Sequence, residues 1–166
     1  MRVLVLAVTL WLAAAGAEAS PMRWVLTPDG LGPLTIGMTV RQARTALGRP
    51  LTEGPSGEET CADYAVKGLA GLYLMFENGR LSRVSVTQGG PWRTAAGIGI
   101  GDSEAAVRKA YGRLRRKDNA YEDPPAAYLT VRAPHGRGIK FGTDTHRKVT
   151  EMEAGGPAIA YIEGCL

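Results

Sequence analysis

The sequence predicts an α+β fold built from two tandem repeats, each a short helix followed by a three-stranded antiparallel meander, together forming one continuous sheet. An internal repeat is the first observation behind this. Leu34-Thr-Ile-Gly-Met-Thr-Val-Arg-Gln-Ala-Arg-Thr-Ala-Leu-Gly48 is echoed sixty-four residues later by Ile98-Gly-Ile-Gly-Asp-Ser-Glu-Ala-Ala-Val-Arg-Lys-Ala-Tyr-Gly112. At that constant offset Ile36/Ile100, Gly37/Gly101, Arg44/Arg108, Ala46/Ala110 and Gly48/Gly112 are identical. The second observation is the apolar run that follows each copy, broken by turn residues at strand length. A pair of cysteines, Cys61 and Cys165, is the third.

Residues 1–19 read as a secretory signal. Arg2 supplies the positive start, an apolar run follows, and Ala17-Glu-Ala19 is a small-x-small cleavage site. The apolar run is short for a bilayer span. The expected mature chain runs from Ser20 to Leu166, periplasmic or secreted, with one repeat over 20–90 and the second over 91–166.

In an oxidising compartment an even pair of cysteines forms a disulfide, so Cys61 and Cys165 are expected to be bonded. The closed loop of roughly 105 residues would stabilise the fold by ~4–5 kcal/mol in the chain-entropy model. Two free thiols or two metal ligands are the alternatives. With only two histidines in the chain, neither near a cysteine in sequence, a metal site is not expected.

The first helix is expected over Val40–Leu47. Thr39 serves as a hydroxyl N-cap completing a capping box with Gln42, and Gly48 as the stop. Its inward stripe is Val40, Ala43, Ala46 and Leu47. Two turns of helix are not stable alone, so the helix must lie on a sheet. A short edge strand at 24–26 and a turn-rich stretch at 27–33 precede it. After a polar loop, Cys61–Val66 reads as a strand and 69–86 as a hairpin with Asn78-Gly79 at its tip.

A two-residue turn there pairs Phe76 with Leu81 and splits the apolar residues between both faces. A three-residue turn with a bulge pairs Phe76 with Arg80 and Leu74 with Ser82. The second register gathers Leu72, Leu74, Phe76, Val84 and Val86 on one face, leaving Tyr73, Met75, Leu81, Arg83 and Ser85 on the other. That separation of core from surface favours it.

The second helix is expected over Glu104–Tyr111, with Ala106, Val107, Ala110 and Tyr111 inward. A charged loop at 113–126 follows. Strands are expected at Ala127–Arg132, Gly138–Thr143 and 148–153, with a polar connection at 143–147. A last strand at 158–162 would bring Cys165 back to Cys61.

The words Ile36-Gly-Met-Thr39, Leu47-Gly-Arg-Pro50 and Phe76-Glu-Asn-Gly-Arg-Leu81 resemble the SmpA/OmlA outer-membrane lipoproteins, small bacterial envelope proteins associated with outer-membrane β-barrel assembly. The doubled arrangement is similar to β-lactamase inhibitory proteins, in which two such modules share one sheet that grips a target enzyme on its concave face. The resemblance implies a non-catalytic envelope protein, an inhibitor or accessory factor. Unlike the lipoproteins, this chain has no anchoring cysteine at the expected cleavage site.

The net charge is +4, and the basic residues concentrate in Arg113-Leu-Arg-Arg-Lys117. Outside the cytoplasm such a run meets anionic lipid heads, cell-wall polymers or acidic proteins rather than nucleic acid. Cations at a helix C-terminus also oppose its dipole. A structural envelope-surface module held by this run is therefore one reading.

An enzymatic reading would use His135 or His146 with a nearby carboxylate such as Asp144. The sequence lacks the spacings of a nucleophile elbow, a P-loop or a zinc helix, and nothing in it asks for a cofactor. Ile98-Gly-Ile-Gly101 before a helix suggests a phosphate-binding loop, but its echo at Ile36-Gly37 marks a turn used twice. The preferred reading is binding to a protein partner in the envelope or medium. Tyr73, Met75 and Arg83, with Tyr128 and Arg132 farther along the sheet, form the expected contact face, because Tyr, Met and Arg are enriched in interfaces.

Overall fold

A computed structural model describes residues 24–54, 60–87 and 90–165. The signal at 1–19 lies outside them. In chain order the elements are β1 (Val25–Thr27), β2 (Gly30–Leu31), β3 (Leu34–Thr35), α1 (Val40–Leu47), β4 (Leu51–Glu53), β5 (Cys61–Val66), β6 (Leu72–Glu77) and β7 (Arg80–Val86). Then come β8 (Arg93–Thr94), α2 (Glu104–Tyr111), β9 (Arg115–Asp118), β10 (Ala127–Arg132), β11 (Gly138–Thr143) and β12 (Val149–Gly155). Among the described residues the protein is α+β, mostly sheet with two α-helices.

There are two sheets rather than the single one expected. The larger has eight strands in the order β4-β5-β6-β7-β12-β11-β10-β9, and the smaller has four in the order β3-β2-β1-β8. The reason lies in how little a two-turn helix can cover. With α1 and α2 packed over the two ends, the N-terminal hairpin packs against β7 and β12 at the middle. It contributes Leu26, Leu31 and Leu34 to the same continuous core as Leu72, Leu74, Phe76, Leu129 and Phe141.

Both helices are capped, the first as expected. The Thr39 hydroxyl accepts from the Gln42 amide while the Gln42 side chain accepts from the Thr39 amide. The Ser103 hydroxyl accepts from the Ala106 amide at 3.1 Å. Each such cap is worth about 1 kcal/mol. Each helix is also tied to the large sheet through the turn that precedes it. Gly37 donates to the Leu81 carbonyl and Leu81 to the Met38 carbonyl, both at 2.8 Å. Gly101 donates to the Val149 carbonyl and Val149 to the Asp102 carbonyl, again both at 2.8 Å.

The buried stripe is narrower than predicted. Ala43, Leu47 and Val107 are buried, but Ala46 and Ala110 are exposed. A helix lying flat presents positions spaced three and four apart, and these alanines fall on its flank. At the start of α2 that stripe position is a buried carboxylate, Glu104. Its oxygens lie 2.7, 3.4 and 3.7 Å from Arg108, Arg116 and Arg147.

The β6–β7 hairpin keeps the predicted faces except at Leu81, and it does so through the two-residue turn rather than the expected three-residue one, so the expected pairings of Phe76 with Arg80 and Leu74 with Ser82 do not form. Asn78 and Gly79 both have positive φ (50° and 71°) and form a two-residue turn, pairing Glu77 with Arg80 and Phe76 with Leu81. The register then shifts at a bulge, and beyond it Met75 pairs with Arg83 and Leu74 with Val84. The Ser82 hydroxyl closes the bulge by donating to the Met75 carbonyl. The expected bulge therefore sits farther from the turn. Leu81 consequently belongs to the core, 1% exposed, and not to the outer face.

Several further segments depart from expectation: the turn-rich stretch holds β2, and Leu51–Glu53, within the expected polar loop, is the edge strand β4 paired with β5. Residues 115–118, read as part of a charged loop, are the edge strand β9. The segment 158–162, read as a strand, instead contains a 3-10 turn at Pro157–Ala160. Proline at the start of that segment removes an amide donor that a ladder would need.

Candidate functional site

The large sheet has one face under the helices and another facing outward. Registers across the strands place the outer residues in rows. One row runs Arg115, Thr130, Lys140, Glu153, Ser85, Tyr73, Ala65 and Thr52. A second runs Arg132, Gly138, Gly155, Arg83, Met75 and Asp63. A third holds Lys117, Tyr128, Gly142 and Glu151. All five predicted contact residues thus lie on one face.

That face is not open along its length. After β12 the chain turns at Gly156 and crosses the outer surface as a strap, back toward β5. It is anchored by the disulfide between Cys61 and Cys165, and the Cys165 amide donates to the Asp63 carboxylate at 2.8 Å. Gly138 makes room for it. A Cβ there would stand 3.0 Å from the Ile159 side chain and 2.5 Å from the Val131 carbonyl oxygen.

The strap changes the status of three of the five residues. Met75 is buried in a small second core with Ala158, Cys165 and Cys61. Arg83 is buried too, its guanidinium donating to the Ala158 carbonyl. Tyr128 is buried beneath Lys140, whose ammonium lies 5.0 Å from the ring centroid. The Tyr128 hydroxyl donates to Asn119. Tyr73, at 45% exposure, and Arg132 remain accessible. The expectation of a wholly uncovered face is corrected accordingly: the last segment shields its middle.

Under the strap lies a buried charge network. Glu153 stands 2.6 Å from the Lys140 ammonium and 3.5 Å from the Arg83 guanidinium, and accepts from the Ser85 hydroxyl. Lys140 also donates to the Tyr161 carbonyl at 2.9 Å. Neighbouring Glu151 has its carboxyl pushed above the usual range, mainly by burial and secondarily by the charge of Glu153.

Sequence reasoning missed the strap's own side chains. Tyr161 and Ile162 are exposed large apolar residues, Ile162 sharing a groove with Tyr73 and Tyr161 reaching Glu77, and Tyr121 reaches the strap from the β9–β10 connection. Tyr121 donates to Glu163, which pushes its phenol up to about 12. Tyr161 donates to Glu77, which also raises its pKa. The signal available was the apolar run ending the chain, which has no counterpart after the first helix.

Ile162 divides the uncovered surface. On one side an open groove of about 440 Å³ is lined by Tyr73, Ser85, Thr87, Glu151 and Asp63, among others. On the other a narrower recess of about 160 Å³ lies over Tyr128, bordered by Arg115, Lys117 and Arg132. The two histidines are elsewhere, both exposed. His135 sits in the 3-10 turn Pro134–Gly136 at φ 59°, and the His146 backbone amide donates to Asp144 in the β11–β12 connection. Among the described residues neither imidazole contacts a carboxylate within ion-pair distance, and no helix is long and apolar enough to cross a membrane.

No family model matches this chain, and it matches neither a curated protein nor a solved structure.

Proposed function

We propose that the chain is an exported, non-catalytic binding protein, periplasmic or secreted, that holds a protein partner on the outer face at the strap. The observation carrying this reading is that Tyr73, Tyr161, Ile162 and Tyr121, four of the five exposed large hydrophobic residues among the described residues, lie on or against the strap. The open groove beside them supplies polar and acidic groups to a rim. Aromatic anchors set beside satisfied polar groups are what interface hot spots are made of.

The scaffold reads as two copies of one module joined back to back. Equivalent turns at Gly37 and Gly101 make equivalent backbone bonds to Leu81 and Val149. The last strands of the halves, β7 and β12, pair antiparallel. The resemblance of the short sequence motifs to SmpA/OmlA lipoproteins, and of the doubled arrangement to β-lactamase inhibitory proteins, implies an inhibitor or accessory factor of the bacterial envelope or medium. The disulfide is compatible with that compartment.

The test is site-specific photo-cross-linking in the producing cell. A cross-linking side chain in place of Tyr73 should trap one defined protein, and the same group in place of Arg41 on the helix face should not. The Tyr73→Ala/Ile162→Ala variant should fold and lose that partner, while His135→Ala/His146→Ala should keep it. Equal trapping from both positions, or loss of binding only with the histidine variant, would overturn the proposal.

A further inference from the structure

The recess on the far side of Ile162 has a different chemistry from the groove. Arg115 pairs across the ladder with Thr130 and Lys117 with Tyr128, and Arg132 follows two residues along β10. All three cations therefore point to the outer face around the buried Tyr128 ring. Their neighbour Arg116 points the other way, and it takes the available acids, Glu104 and Asp118. Lys140 at the back wall is already matched by Glu153. Among the described residues none of Arg115, Lys117 and Arg132 has a carboxylate partner, and no acid lines the recess.

Charges on an edge strand such as β9 discourage sheet-to-sheet aggregation. That role accounts for Arg115 and Lys117. Arg132, two residues past the last rung between β9 and β10, stands on the same face without a counter-ion and adds a third cation to the same concavity. Three uncompensated positive charges converging on a concavity repel one another unless an anion joins them.

We propose that this recess binds a phosphate monoester group. Such a group carries about −1.5 to −2 charges near neutral pH, a closer match to three cations than a single carboxylate. Two arginine forks can each meet it with paired N–H donors, with Lys117 as a point charge. The walls formed by Tyr128, Ile159 and Ile162 lower the local dielectric and strengthen the attraction. A soluble phosphorylated molecule and the headgroup of a phosphomonoester lipid share this chemistry.

Inorganic phosphate titrated into isotope-labelled mature protein should shift the Tyr128, Thr130 and Arg132 amides saturably. Arg132→Gln should weaken binding by about tenfold, and Arg132→Lys by less, since it keeps charge and loses the fork. Tyr73→Ala should leave the titration unchanged, which separates this site from the partner surface at the strap. Vesicles of phosphatidylcholine with phosphatidic acid, compared with phosphatidylglycerol at matched surface charge, distinguish the two sources. A preference for phosphatidic acid identifies a headgroup, and phosphate binding without vesicle binding identifies a soluble ligand. The proposal is overturned if phosphate shifts no recess amide and the two vesicle types bind alike. It is also overturned if a well-folded Arg132→Gln, by its amide spectrum, binds phosphate as the parent does, or if an acidic peptide outcompetes phosphate at equal charge.

Discussion

The two faces of the eight-stranded sheet solve opposite problems. The inner face is apolar and is covered by two capped helices and the N-terminal hairpin, units that form locally but pack on β7 and β12, which come later in the chain. The outer face carries Arg83, Lys140, Glu151 and Glu153, and it is covered in the middle by a strap from the far end of the chain. Burying apolar rows is favourable in itself. Burying charged rows requires that partners arrive together, and here the strap's carbonyls and the cross-strand carboxylate supply them. The outer face is thus held by a long-range tie, and its margins on either side of Ile162 stay open.

The largest expected effect comes from cutting that tie. Replacing Cys61 and Cys165 together with Ser should cost about 4–5 kcal/mol by the loop-entropy estimate. Solvent should also reach Met75 and Arg83, a change readable by hydrogen exchange at the Ser82 and Ala158 amides. A loss of stability without added exchange on the outer face would break the comparison.

Truncating the inner face should cost nearly as much. Phe76 packs edge-on against Tyr64 at 5.5 Å and is 2% exposed, so Phe76→Ala should lose ~3–5 kcal/mol in chemical denaturation. Glu104→Ala comes next. It strips the common partner from three arginines at the start of α2, and should cost up to about 3 kcal/mol, since those arginines reach solvent and recover part of their hydration. Raised salt should lessen the loss.

A smaller effect is pH-dependent. The Glu151 pKa is raised in the folded state, so its contribution is fully present below its unfolded pKa and is lost as pH rises through the folded value. Glu151→Gln should therefore stabilise the protein near pH 7, with the advantage shrinking toward about pH 4. Denaturation curves for both proteins at the two pH values check the sign. Tyr73→Ala should have the least effect on folding, about 0.5 kcal/mol or less, because the side chain is exposed. A large loss of stability would mean that Tyr73 is core, and the contrast between the faces would fail at that point.

Much of the inner face was legible because its signals are local. Thr39 and Gln42 make their capping box within one turn, and the alternation of Leu72, Leu74 and Phe76 is visible within a single strand. Asn78-Gly79 announces its turn without help from the rest of the chain. The bulge near Ser82 was legible only as a need to keep Val84 and Val86 with Leu74, which places it somewhere in the hairpin without saying where. The candidate contact face was legible as a face, from the odd positions Tyr73, Met75 and Arg83, but its accessibility was not. Burial of an outward side chain depends on what later crosses over it.

From sequence alone the capped helices, the six- and seven-residue strands and the pairing of two cysteines follow, each determined by neighbours within a few residues or by simple counting. Tertiary structure alone decided that β7 meets β12, that the N-terminal hairpin forms a second sheet, and that the strap buries Arg83 and Lys140 while leaving Arg132 at the surface. Those outcomes rest on contacts such as Arg83 with Ala158, 75 residues apart, and Asp63 with Cys165, 102 residues apart. No periodicity records such contacts, because they are selected by the joint packing of surfaces that exist only once the strands have assembled.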